Sequence, residues 1–98
     1  MNFFARRLLF LGAHPDDIEL GCGAFLHRVL PCSEARCITL SGNHKNPELR
    51  NVAQEHLTSL SVLGVSREQV IIAEFETRKF PQQRQAVLDY LFEQRLDF

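Results

Sequence analysis

The chain has 98 residues, with 11 Lys and Arg against 12 Asp and Glu, a formal net charge of −1 and a hydrophobic share of 45%. That length suits one small domain, residues 1–98. The charge balance excludes the basic footprint of a nucleic-acid binder and the basic helix of a membrane-surface protein, and no uncharged apolar run is long enough to span a bilayer.

The N-terminus carries Arg6-Arg7 followed by apolar residues, as a signal peptide does. The apolar part is too short, however, and it runs straight into His14-Pro15-Asp16-Asp17 without a credible cleavage site. It reads as a buried strand of a cytoplasmic protein. Cys22, Cys32 and Cys37 form no Cys-x-x-Cys pair, which argues against a zinc ribbon or a disulfide framework. They read as small, buried, reduced hydrophobes, with a redox or metal role as the less favoured alternative for Cys22.

Leu8 to Ala13 is a continuous apolar run, the pattern of a central parallel strand covered on both faces. Ile18, Cys22, Phe25, Leu26 and Val29 recur at helical spacing and predict an amphipathic helix over roughly residues 18–30, stopped by Pro31. Gly21 and Gly23 weaken that helix, and close approach to a strand or a ligand is the expected compensation. Ala35 to Ser41 predicts a second strand, followed by a loop through Lys45. Asn46-Pro47-Glu48 is a helix start: an N-cap, a proline at the first position and a carboxylate in the first turn. Leu49, Val52, Ala53, His56, Leu57, Leu60 and Leu63 make its apolar face, and Gly64 its C-terminal cap. Gln69 to Ala73 predicts a third strand and Glu74 to Lys79 a polar connection. A third helix from Pro81 carries Val87, Leu88, Tyr90, Leu91 and Phe92. The β-α-β-α-β-α order forces parallel strands, right-handed crossovers and helices on both sheet faces, one half of a doubly wound α/β sheet.

His14, Asp16 and Asp17 fall at the carboxyl end of the first strand, where open α/β sheets bind ligands. A purely structural account covers part of this cluster. Asp16 and Glu19 are three apart at a helix start, as in a capping box, and carboxylates in a first turn gain roughly 0.3–1 kcal/mol each from the helix dipole. That account leaves His14 unexplained. An imidazole and a carboxylate are zinc ligands, and a catalytic zinc takes three protein ligands and keeps a water in the open position. The metal brings that water's pKa to about 7, and a neighbouring carboxylate can take its proton and pass one to a leaving amine. One ligand pair plus a spare carboxylate therefore suits metal-assisted amide hydrolysis.

The stretch Ala13-His14-Pro15-Asp16-Asp17-Ile18-Glu19-Leu20-Gly21-Cys22-Gly23 resembles the signature of the LmbE-like, or PIG-L, zinc-dependent de-N-acetylase family. A looser resemblance continues through Thr39-Leu40-Ser41-Gly42, Glu55, Leu63-Gly64-Val65 and the Arg84 helix. It implies a Rossmann-like, three-layer α/β/α fold and a zinc site. It also implies removal of an N-acetyl or other N-acyl group from an amino sugar such as N-acetylglucosamine, or from a related glycoconjugate. By position, His14 and Asp17 would be zinc ligands and Asp16 the general base. A substrate-contacting arginine usually stands shortly before the residue matched by Glu55; Val52 takes the commonest spacing, and Arg50, two residues earlier, is the implied substitute. Ala24 replaces a frequent glycine.

The family's third ligand is a histidine in a His-x-x-His-like segment that would lie beyond Phe98, so the chain reads as the N-terminal half of the domain. Among the other histidines, His44 follows the second strand and is the one placed to substitute, with loop or substrate contact as its other role. His27 reads as a surface residue and His56 as a core histidine. Arg78 and Lys79 read as solvated charges. The expected partner is a small N-acylated sugar or glycoconjugate, with no nucleic acid and no membrane, and with a homo-oligomer or complementing chain as the alternative way to complete the site. Two other readings stand beside this one. In the first, the chain is a catalytically incomplete relative that binds metal or sugar only. In the second, it is a dinucleotide-binding unit through Gly21-Cys22-Gly23, although Leu26 stands where that fingerprint needs glycine.

Overall fold

Three parallel strands in the order β1-β2-β3 carry the architecture: β1 (Arg7–Gly12), β2 (Glu34–Thr39) and β3 (Val70–Ile72). Three helices alternate with them: α1 (Asp17–Val29), α2 (Val52–Val62) and α3 (Arg84–Asp97). The computed structural model describes residues 7–42, 48 and 51–97. His44, Asn46, Pro47, Leu49 and Arg50, on which a loop, a helix start and a substrate contact were predicted, lie outside them. The α/β class and the β-α-β-α-β-α order match the sequence expectation, as a Rossmann-like half domain.

The period-2 alternation of the strands sorts their residues. Leu8 and Phe10 of β1, Ala35 and Cys37 of β2 and Val70 of β3 share one face. They pack under Ile18, Leu26 and Val29 of α1, Leu60 of α2 and Leu63 at the C-cap of α2. Fully burying each large apolar side chain here contributes roughly 1.5–3 kcal/mol. On the opposite face, Leu9, Arg36 and Ile38 line a cavity of about 220 Å³ together with Leu91, Gln94 and Arg95 of α3. Helices therefore stand on both faces. Among the described residues β1 stands at one edge of the sheet and β3 at the other. Leu9 is 46% and Leu11 48% exposed, because α3 covers their face only in part.

Several boundaries shift for identifiable reasons. α1 begins one residue early and is broken at Cys22, whose φ of −148° and ψ of 24° are not helical. The kink sits between Gly21 and Gly23. Gly23 is buried, and a Cβ on it would stand 3.5 Å from Leu63 Cδ1, an ordinary contact, so among the described residues its neighbour is the end of α2 rather than a strand. Pro31 opens a short 3-10 turn, Leu30–Cys32, after α1. α2 ends as predicted at Gly64. With φ at 103°, its N–H reaches Ser61 O at 3.0 Å and that of Val65 reaches Leu60 O at 3.0 Å, which is a Schellman cap. α3 starts at Arg84, three residues later than predicted. The segment before it is a 3-10 turn, Thr77–Lys79, followed by a turn in which Gln83 N donates to Lys79 O and Phe80 O. No helix among the described residues is long and apolar enough to cross a membrane.

Candidate metal centre

β1 ends at Gly12, and the chain reverses through Ala13–Asp16 at the carboxyl edge of the sheet. The turn is tied to the strand beside it: Leu40 N donates to Gly12 O at 2.9 Å and Ser41 N to Ala13 O at 3.0 Å. It is tied to the helix that follows by Leu20 N donating to Asp16 O at 2.9 Å. Glycine at position 12 lets α1 settle onto the strand end. A Cβ there would meet Asp17 Cβ at 3.1 Å and Ile18 Cγ1 at 3.2 Å.

Asp16 is the N-cap of α1, yet its side chain makes no capping hydrogen bond, and its φ of 79° places it in the left-handed region. The capping box expected from Asp16 and Glu19 is therefore not formed. Asp17 ties the turn instead: its Oδ2 accepts the backbone N–H of His14 at 2.9 Å. The carboxylate of Asp16 is left exposed and uncommitted, on a backbone that only Gly, Asn and Asp visit routinely. A strained residue at the mouth of a candidate site is where such a cost is usually retained.

The structure brings His14 and Asp17 together. Asp17 Oδ2 is 3.8 Å from His14 Nδ1, with side chains 49% and 36% exposed respectively. Two ligands at zinc's usual bond lengths of about 2.0–2.1 Å stand roughly 3.3 Å apart around a tetrahedral ion, so this pair needs only a small adjustment. His14 Nε2 is buried and has no hydrogen-bond partner. The Phe80 ring lies over the same imidazole, at 5.5 Å between centroids and a tilt of 56°. His14 Nδ1 and Asp17 Oδ2 are two donors of the kind a zinc ion takes, and the unpartnered Nε2 is the other nitrogen of the same ring. No group of three or more His, Cys, Asp or Glu residues poised for a metal occurs among the described residues. Arg50 and His44 fall outside them, so neither takes a place in this geometry.

The remaining histidines are engaged in the fold. His27 Nδ1 bonds Leu63 O at 2.9 Å, which clasps α1 to the end of α2 and makes it more than a solvated side chain. His56 is a buried core residue, as the apolar face of α2 predicts, but a bonded one. Its Nε2 is 2.8 Å from Thr39 Oγ1 and its Nδ1 is 3.1 Å from Glu19 Oε2. This Glu19–His56–Thr39 link is absent from the sequence reading. Its signal was present: Glu19, Cys22 and Leu26 are spaced three and four apart, so Glu19 lies on the apolar stripe of α1. Of the three cysteines, expected to be buried, Cys37 is, Cys22 is half-buried and Cys32, in the turn after α1, is exposed; Cys22 bonds within its own helix. Its thiol donates to Ile18 O at 3.4 Å, and burial, with Glu19 nearby, pushes its pKa up.

Among curated proteins, the chain is similar to a protein of Escherichia coli strain K12 named "Uncharacterized deacetylase YaiS", with 39% identity over 59 residues. The match takes in 58% of this chain and 32% of the relative, so the chain spans about a third of the length of the curated relative it matches. No family model matches the chain, and no solved structure does.

Proposed function

We propose that the protein is a zinc-dependent deacetylase that hydrolyses the amide of an N-acetylated or otherwise N-acylated amino sugar or glycoconjugate. The observation that carries this reading is the His14–Asp17 pair at the carboxyl end of β1, with an unpartnered imidazole nitrogen and the uncommitted Asp16 carboxylate beside it. The partial similarity to a protein named a deacetylase supports it.

His14 and Asp17 would hold the ion, and a third ligand would come from outside the described residues. When bound, zinc supplies Lewis acidity, which acidifies water and polarises a carbonyl oxygen. Asp16 takes a proton from the attacking water as its oxygen adds to the acyl carbon. The same carboxyl then gives that proton to the amine nitrogen as the C–N bond breaks, leaving acetate and a free amine. General acid–base catalysis of this kind contributes about 10²–10⁴-fold. Phe80 shields one side of His14 from water.

A second reading follows from the ligand count, since two ligands rather than three stand among the described residues. In that reading the chain binds metal or sugar without turning substrate over, or acts with a complementing chain. Equilibrium dialysis with zinc, paired with an assay for acetate released from N-acetylglucosamine and its conjugates, separates the two. Zinc uptake and acetate release that are both lost in His14→Ala, with release alone lost in Asp16→Asn, are expected for the hydrolase. Zinc uptake without acetate release from any N-acylated sugar would select the second reading.

A further inference from the structure

A buried polar chain runs beneath the His14–Asp17 turn. Glu19, in the first turn of α1, places Oε2 3.1 Å from His56 Nδ1 on α2, with side chains 10% and 0% exposed. His56 Nε2 meets Thr39 Oγ1 at 2.8 Å. Thr39 is the last residue of β2 and pairs with Gly12, the last of β1. The chain therefore begins on the strand ends that support the turn and finishes two residues past Asp17.

Its leverage comes from helix geometry. Residues two apart on an α-helix project about 200° from one another, so fixing Glu19 against α2 fixes the direction in which Asp17 points on the other side. The kink at Cys22 makes this tie more consequential, because the first turn of α1 is not continued by regular helix. Its orientation depends on local anchors: buried Ile18, the contact with Gly12, and the Glu19–His56 bond. Glu19 Oε1 is also buried and has no hydrogen-bond partner. A half-satisfied buried carboxylate is a poor choice if packing alone were at stake, since an apolar residue of similar volume would serve better.

We propose that Glu19, His56 and Thr39 are positioning residues that set the rotation of the first turn of α1, and through it the aim of Asp17 at His14. The inference rests on the metal reading for its purpose, but its geometric content stands apart from that reading. It resembles the outer-shell support that metal ligands receive, where loss typically costs 10–100-fold in affinity.

The test uses the full chain with cobalt(II) in place of zinc, read by its visible absorption, together with hydrogen exchange of the His14 amide, whose N–H is held by Asp17. Glu19→Ala and His56→Leu are each expected to weaken cobalt binding about 10–100-fold and to alter the absorption band. Both should speed exchange at His14 while core amides such as Leu26 stay protected. Glu19→Gln keeps an acceptor for His56 and is expected to return affinity to within about threefold of the parent. Folded Glu19→Ala with parental cobalt affinity and parental His14 exchange would overturn the proposal. If the parent chain takes up no cobalt, the metal reading fails, and His14 exchange alone decides the positioning role. If both large substitutions fail to fold, Thr39→Val, which removes only the hydroxyl, decides. Faster His14 exchange supports the proposal, and a lower melting temperature with unchanged His14 exchange refutes it.

Discussion

Gly12 and Asp17 face one another across the turn with little room to spare: a Cβ on the glycine would stand 3.1 Å from the Cβ of the aspartate. The end of β1 and the start of α1 thus approach closely enough to crowd a β-carbon at position 12, and the position of one candidate ligand depends on the absence of a side chain on another residue. Gly12→Ala should push the first turn of α1 away from the strand. The expected cost is about 1–3 kcal/mol, as for overpacking elsewhere, read as a lower thermal midpoint. Zinc affinity, measured by dialysis, should fall beyond what the loss of stability explains.

Asp16 offers a test in which chemistry and stability part company. Its φ of 79° costs an aspartate up to about 1 kcal/mol relative to a residue free of Cβ, while glycine adds a similar entropy to the unfolded chain. Asp16→Gly should therefore melt within about 1 kcal/mol of the parent. Asp16→Ala keeps the steric strain without aspartate's local hydrogen bonding and should melt lower. Both should lose acetate release by about 10²-fold or more. A deacetylase that survives either change would have its base elsewhere.

The cysteines predict how stability varies with alkali. Burial pushes the Cys37 thiol from an ordinary value of 9.0 up to about 12, with Cys22 and Glu19 adding to it. The folded state thus holds its proton where the unfolded chain releases it. This contribution is intact below pH 9 and is lost as pH rises toward 12, at no more than about 1.4 kcal/mol per pH unit. Cys22 and Tyr90 are also raised by burial and act with the same sign. Urea melts between pH 8 and 11 should show declining stability, with a shallower slope in Cys37→Ala. In the native protein, iodoacetamide should label exposed Cys32 well before Cys22 or Cys37.

Leu60 and Val62 stand two apart on α2 with opposite surroundings: Leu60 is fully buried and Val62 is 80% exposed. Leu60→Ala should cost about 2–5 kcal/mol, since it leaves a cavity beneath two helices. Val62→Ala should stay within about 0.5 kcal/mol of the parent. Paired chemical melts would check both values. Equal effects would mean that α2 does not pack on the sheet through the Leu60 face.

The fold was legible because periodicity records burial. Phe10, Leu26, Val29, Cys37 and Leu60 all lie in the core on the faces their spacing assigns. The half-exposure of Leu9 and Leu11 was not legible, because an apolar run states what a strand would accept on each side rather than what lies there. The site was half legible. His14, Asp16 and Asp17 are local in sequence, so their proximity could be read directly. The cap was misread because Asp16 takes a left-handed backbone that no local pattern announces, and this frees Glu19 to turn inward. The Glu19–His56–Thr39 chain escaped because its members lie 37 and 17 residues apart, joined only by the packing of three elements.

The outer edge of β1 bears on how the sheet could be extended. Among the described residues, its backbone amides and carbonyls face away from β2 without a neighbouring strand, flanked by half-exposed Leu9 and Leu11. Natural edge strands are usually blunted by lysine, proline or a bulge; here the charge nearby is Arg7, paired with Glu34 at 3.5 Å. An edge left without such devices is the form expected of a strand that receives a neighbour, which a doubly wound sheet provides on the far side of its first strand.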